Sequence, residues 1–184
     1  MGIAERGITM RPKIPLTKTF IIAASLAFLC AFPSSALEIP QNIKEIYALL
    51  QDIPPGSSKE KVLEHLGNPR DRENPHDSQN EVWMWGETQT DRMVTVSFSD
   101  NLVEIAAYFE FFYTYSSETE KEINAKYHSY RTDLLNFLGN PMMESSGFMS
   151  AWRVEGNLLY LMKLFDAEGA TVAGVGISLQ KQKI

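Results

Sequence analysis

Leu66-Gly67-Asn68-Pro69 occurs again, 72 positions later, as Leu138-Gly139-Asn140-Pro141. A repeat of that period bears on the architecture before any single element does, because each copy is then one structural unit. The residues ahead of each tetrapeptide also agree. Val62, Leu63 and Leu66 match Leu134, Leu135 and Leu138, an i, i+1, i+4 spacing that puts the apolar side chains on one helix face. Each glycine suits the left-handed position that closes a helix, and each proline prevents continuation. LGNP therefore reads as a helix stop. Ser57-Ser58-Lys59-Glu60 reads as a capping box, with Ser57 bonding forward and Glu60 reaching back.

Downstream of each stop, short apolar runs alternate with turn residues. The first copy has Glu81 to Trp85, Met93 to Phe98 and Leu102 to Tyr108; the second has Ala151 to Val154, Leu158 to Phe165 and Ala170 to Leu179. Trp83 aligns with Trp152, and Phe98 with Phe165. A helix is expected ahead of each unit: Ile43, Ile46, Tyr47 and Leu50 form one stripe, and the charged stretch from Glu118 to Tyr130 forms the other. The expected fold is α+β: two tandem ααβββ units over residues 37–115 and 116–184, with antiparallel sheets and helices packed on one face. Three strands and two short helices make a small core, so the copies should share one sheet or pack tightly.

Residues 1–36 read as a signal peptide rather than as fold. Arg6, Arg11, Lys13 and Lys18 make a basic start, Phe20 to Phe32 is apolar, and Ser34 and Ala36 are small. That order is what the export machinery and signal peptidase read, with the cut after Ala36. The apolar run is shorter than the roughly 20 residues that span a bilayer, so no integral span is expected after cleavage. Leu29 is too large for the position before a lipidated cysteine, so lipidation at Cys30, the one cysteine, is not expected. The location implied is periplasmic or secreted. The chain has 17 basic and 23 acidic residues. Removing four basic and one acidic with the signal leaves 13 against 22, a net charge of about −9. Binding to phosphate backbones needs clustered Lys and Arg, so nucleic acid is not an expected partner.

The run Ile53-Pro54-Pro55-Gly56-Ser57-Ser58-Lys59-Glu60, continued through Val62, Leu66, Gly67 and Pro69 and followed by a tryptophan strand and Val94 to Phe98, resembles the SmpA/OmlA domain, the BamE-like fold. The second copy, ending in Leu164 to Val172, looks like a more diverged version, and the tandem pair is similar in architecture to beta-lactamase inhibitory proteins. The first resemblance implies a protein-binding or assembly module of the cell envelope, without catalysis or cofactor. The second implies an alternative, a secreted inhibitor of an envelope or extracellular enzyme. A third reading is an enzyme whose acid and base lie far apart in sequence.

No motif supports that third reading. His65, His76 and His128 have no histidine or cysteine at ligand spacing, so no metal site is expected. Gly174-Val175-Gly176-Ile177-Ser178 lacks the order of a nucleophile elbow and has no helix after it, so it is not a phosphate loop either. Its alternating glycines suit close sheet packing.

Two stretches are candidate contact surfaces. In Tyr108 to Tyr115, alternation sends Phe109, Phe111, Tyr113 and Tyr115 to one face and Tyr108 and Phe112 to the other. Such a strand is either buried on both sides where the copies join or an exposed aromatic patch. The loop after the second stop is the other candidate. It carries Met142, Met143, Phe148 and Met149 where the first copy has the polar run Arg70 to Asn80. Methionine adapts to varied contact surfaces, although these residues equally suit a cap over the core.

Overall fold

Asn42 and Ser58 start the first two helices. The Asn42 side chain accepts from the Glu45 amide at 3.0 Å and opens α1 (Ile43–Asp52). Ser58 accepts from the Lys61 amide at 3.3 Å and opens α2 (Lys59–Leu66). Each supplies an oxygen to an amide that a helix start leaves free. The cap is thus Ser58, one residue later than the sequence suggests, and Ser57 is tied through its backbone, its carbonyl accepting from the Val103 amide at 2.8 Å. The Ser58 hydrogen bond also holds the Glu60 carboxyl below the usual carboxylate range. Gly67 ends α2 at φ 69°, its amide donating to the Leu63 carbonyl at 2.9 Å. Gly139 ends α3 (Ser117–Leu138) in the same way, at φ 79° and 3.0 Å from the Leu135 carbonyl.

The computed structural model describes residues 39–77, 79–86, 91–112, 117–145, 147–165 and 173–182. The signal peptide, Cys30, the cut after Ala36, and Tyr113 lie outside the described residues. The strands are β1 (Asp71–Glu73), β2 (Glu81–Gly86), β3 (Arg92–Ser99), β4 (Leu102–Phe112), β5 (Met143–Ser145), β6 (Met149–Val154), β7 (Asn157–Phe165) and β8 (Ala173–Lys181). They form one antiparallel sheet in the order β1-β2-β3-β4-β8-β7-β6-β5.

This architecture corrects the expected one. The protein is mostly a single eight-stranded antiparallel sheet with three helices, not two ααβββ units with helices packed on one face of each. Three physical causes account for the difference. The stretches after the helix stops, read as loops, pair as the edge strands β1 and β5. The eleven-residue β4 runs to Phe112 and pairs directly with β8 from Ile105↔Gln180 to Phe112↔Ala173, so no boundary separates the halves. Arg131-Thr132-Asp133 contains no breaker, so α3 runs unbroken for 22 residues, whereas Pro54-Pro55-Gly56 separates α1 from α2. α1 reaches across the junction of the halves: it contacts β4, β8 and α3, while α3 contacts β7 and β8.

The register also corrects the alignment of the halves. The Trp85 and Trp152 indole N–H groups donate to the carbonyls of Gly67 and Gly139, at 3.2 and 2.9 Å, so these two tryptophans are equivalent. The counterpart of Trp83 is Ser150, and that of Phe98 is Lys163. Counting from the stops misaligns them because 18 residues separate Gly67 from Trp85 but only 13 separate Gly139 from Trp152. The pairs Ala106↔Leu179 and Tyr108↔Ile177 exchange about Ala107↔Ser178, which marks a local two-fold axis. The main core lies on the face carrying Trp83, Val94, Tyr108, Trp152, Leu159 and Ile177, packed with Ile46, Leu50, Val62, Tyr127 and Leu134.

Candidate functional site: the second face of the sheet

Alternation along β4 sends Ala106, Tyr108 and Glu110 to the core and Ile105, Ala107, Phe109 and Phe111 to the opposite face. The pairings extend that second face across the sheet. One row is Met93, Phe109, Gly176, Met162 and Met149. The next is Met84, Thr95, Ala107, Ser178, Tyr160, Ala151 and Met143. Five of the six methionines in the described residues therefore share this face. Away from the bulge between Ser97 and Phe98, no position on it in β2, β3, β4, β7 or β8 is charged.

Its floor is close-packed. A Cβ at Gly176 would lie 2.9 Å from two ring carbons of Phe109, and one at Gly174 would lie 2.3 Å from the Glu110 carbonyl oxygen. Bare glycines let the Phe109 ring lie against β8 and let β4 approach it closely. Phe109 and Phe111 stack at 5.7 Å and are 8 % and 5 % exposed. The aromatic run is thus buried in its described part. Val82, Ala107, Phe109, Phe111 and Ala151 are buried but stand outside the main core cluster. The Ser97 hydroxyl, on the same face, is buried without a hydrogen-bond partner among the described residues.

The candidate contact residues divide between locations. Phe111, Met143 and Met149 fall on the second face, with Met143 44 % exposed at the edge. Met142 and Phe148 are each 55 % exposed, and Phe148 lies toward the helix side, with the Lys163 ammonium 5.8 Å from its ring. Sequence reading missed Met84, Met93, Tyr160 and Met162. Their signal was present: in β2, β3 and β7 they occupy positions alternate to core residues.

The buried ionisable groups lie on the core side and serve as clamps. Glu110 accepts from Tyr130 at 3.0 Å and Tyr108 at 3.4 Å and pairs with Lys126 at 3.1 Å. Burial pushes both phenols well above their ordinary range, and the Glu110 charge adds to it, so they remain donors. Burial also raises the Glu81 carboxyl, but hydrogen bonds from Lys59 and Trp83 outweigh it and hold the group below the usual range. Nearer the surface, Arg131 binds the exposed Glu144, which also accepts from Ser150 at 3.4 Å. Burial lowers the Lys163 ammonium against the opposing charge of Glu120; it lies 5.0 Å from the Tyr127 ring and bonds Asn124. Among the described residues, no three His, Cys, Asp or Glu side chains group as metal ligands, and no helix is long and apolar enough to cross a membrane.

No family model matches the chain, and no curated protein matches its sequence. Among solved structures it is similar to a DUF4309 family protein, YjgB, from Bacillus subtilis subsp. subtilis str. 168, at 11 % identity and a TM-score of 0.43. That likeness covers 80 % of this chain and 98 % of the other.

Proposed function

We propose that this protein is an exported, non-catalytic binding module of the cell envelope, of the SmpA/OmlA (BamE-like) kind, which holds a protein partner on the second face of its sheet. The observation that carries the reading is the composition of that face: methionine and aromatic side chains with no charge across five strands. Depletion of charge with enrichment of methionine and aromatics marks the centre of protein–protein interfaces. Half-exposed thioethers adapt to a partner surface at small cost. The chain's acidic balance supports a protein partner over nucleic acid or an anionic membrane surface.

The test places a photo-cross-linking residue at Met84 or Tyr160, with Glu122 on the exposed side of α3 as control. A single defined protein should be captured from the envelope through the first two positions and not through the third. Tyr160→Asp should abolish capture while leaving the circular dichroism unchanged. Capture of a multi-subunit envelope complex supports the assembly reading; capture of one soluble enzyme, with loss of its activity, supports the inhibitor reading. Equal capture from both sides, or none, overturns the assignment. Export is tested separately: the mature chain should begin at Leu37 by N-terminal sequencing, and Cys30→Ser should not change its location.

A further inference from the structure

We propose that the second face is a site of oxidative modification: a peroxide converts Met84, Met93, Met149 and Met162 to sulfoxides, which makes the face polar and releases what it holds, while the fold stays intact. The release rests on the protein-binding reading above; the change in the face does not. The main core is built from Ile, Leu, Val, Ala, Phe, Tyr and Trp, and none of the six methionines in the described residues belongs to it. None of the six is buried. Met84, Met93, Met149 and Met162 are half-buried in strands, and Met142 and Met143 are exposed. Sulfoxidation disrupts a core that contains methionine; here an oxidant meets the thioethers without entering the core.

The thioethers also flank the aromatic centre of the face. Met93 pairs directly with Phe109 from β3, and Met162 pairs with Gly176 from β7. A Cβ at Gly176 would meet the Phe109 ring at 2.9 Å and Met162 Cγ at 3.5 Å, so ring and thioether arm come together over that glycine. Met149 pairs with Met162 and continues the row, and Met84 stands in the next row opposite Thr95. Leucine would cover these positions as well, but its polarity does not change with redox conditions. In the reaction a sulfur lone pair attacks one oxygen of hydrogen peroxide, and an S–O bond forms as the O–O bond breaks. The leaving hydroxide takes the proton from the transferred oxygen and departs as water. Sulfur loses two electrons and the peroxide gains them. A sulfoxide facing water is hydrated and costs the fold little, whereas one covered by a partner without a donor is costly.

Hydrogen peroxide is the probe, added to the full chain carrying Cys30→Ser so that no thiol competes. Peptide mapping should find one added oxygen on each of the four methionines, with the circular dichroism unchanged. Retention on a hydrophobic-interaction column should drop, and methionine sulfoxide reductase should restore it. Replacing all four by leucine conserves volume and should keep the fold. That variant should show no drop, although its Met1, Met10, Met142 and Met143 still oxidise. Photo-capture through Tyr160 should fall about tenfold in the oxidised chain and not in the leucine variant. Unfolding on oxidation, unmodified methionines at the four positions, unchanged retention, undiminished capture, or the same drop in the leucine variant overturns the inference. If the unoxidised chain captures nothing, the binding reading fails, and the retention result alone decides whether the face is switched by oxidation.

Discussion

At Gly174 the neighbouring strand leaves no room for a side chain, and what stands in the way is backbone. An added Cβ would meet the Glu110 carbonyl oxygen at 2.3 Å, a contact relieved only by moving β4. At Gly176 the obstacle is the Phe109 ring at 2.9 Å, which can turn aside. Overpacking costs typically 1–3 kcal/mol, so Gly174→Ala should cost about 3 kcal/mol and Gly176→Ala about 1 kcal/mol. Urea denaturation gives both values, and the ordering is the informative part. If Gly176→Ala proves the costlier, the Phe109 ring is more rigidly held than its surroundings suggest. Trp152→Phe removes the 2.9 Å hydrogen bond to Gly139 and leaves a carbonyl without its partner. Its expected cost is about 1 kcal/mol beyond lost packing, the net worth of one hydrogen bond, because Gly139 is exposed and water can satisfy its carbonyl.

The elements divide by how locally they are determined. Both LGNP stops were legible because a left-handed glycine and a following proline act within one turn of the helix they end. The six longer strands were legible from their apolar runs. β1 and β5 were not, because Asp71-Arg72-Glu73 and Met143-Glu144-Ser145 carry no apolar alternation and are strands only through pairing with β2 and β6. The methionine face was hidden for a related reason: alternation shows that Met84 and Met162 oppose the core, but only the β4–β8 pairing brings them onto one surface. Two of the ion pairs that fix helices to this sheet can be tested at this scale. Glu110 accepts from Tyr130 and Lys126 on α3, so Glu110→Ala should cost about 2–3 kcal/mol by stranding buried donors, and Glu110→Gln less. Lys59 on α2 pairs with Glu81 on β2, whose carboxyl is held below its ordinary range. A carboxyl depressed by folding contributes its full stabilisation above its unfolded value of about 4.3, and loses it as the pH falls below that through the folded value. Glu81→Gln should therefore lower stability at neutral pH and flatten its decline in acid, as measured by urea midpoints across the pH range.

Over the whole molecule, the local two-fold at Ala107↔Ser178 places the junction of the halves at the centre of the sheet. β4 and β8, of eleven and nine residues, are its central pair, and both are buried along most of their length. The outer edges, by contrast, are three-residue strands with exposed side chains. Short, polar edges resist pairing with other chains, whereas long apolar edges invite it. Cutting the chain between Phe112 and Ser117 would convert the two best-buried strands into edges of that second kind. Each half would also lose helix packing, since α1 reaches across to β8 and contacts α3. Neither half should then be soluble and folded alone. Co-expressed, the two should recover one complex through β4 and β8, with the circular dichroism of the intact chain. If either half instead proves a folded monomer by gel filtration and chemical-shift dispersion, the sheet is two units in contact rather than one. The methionine surface would then lose its status as a single face.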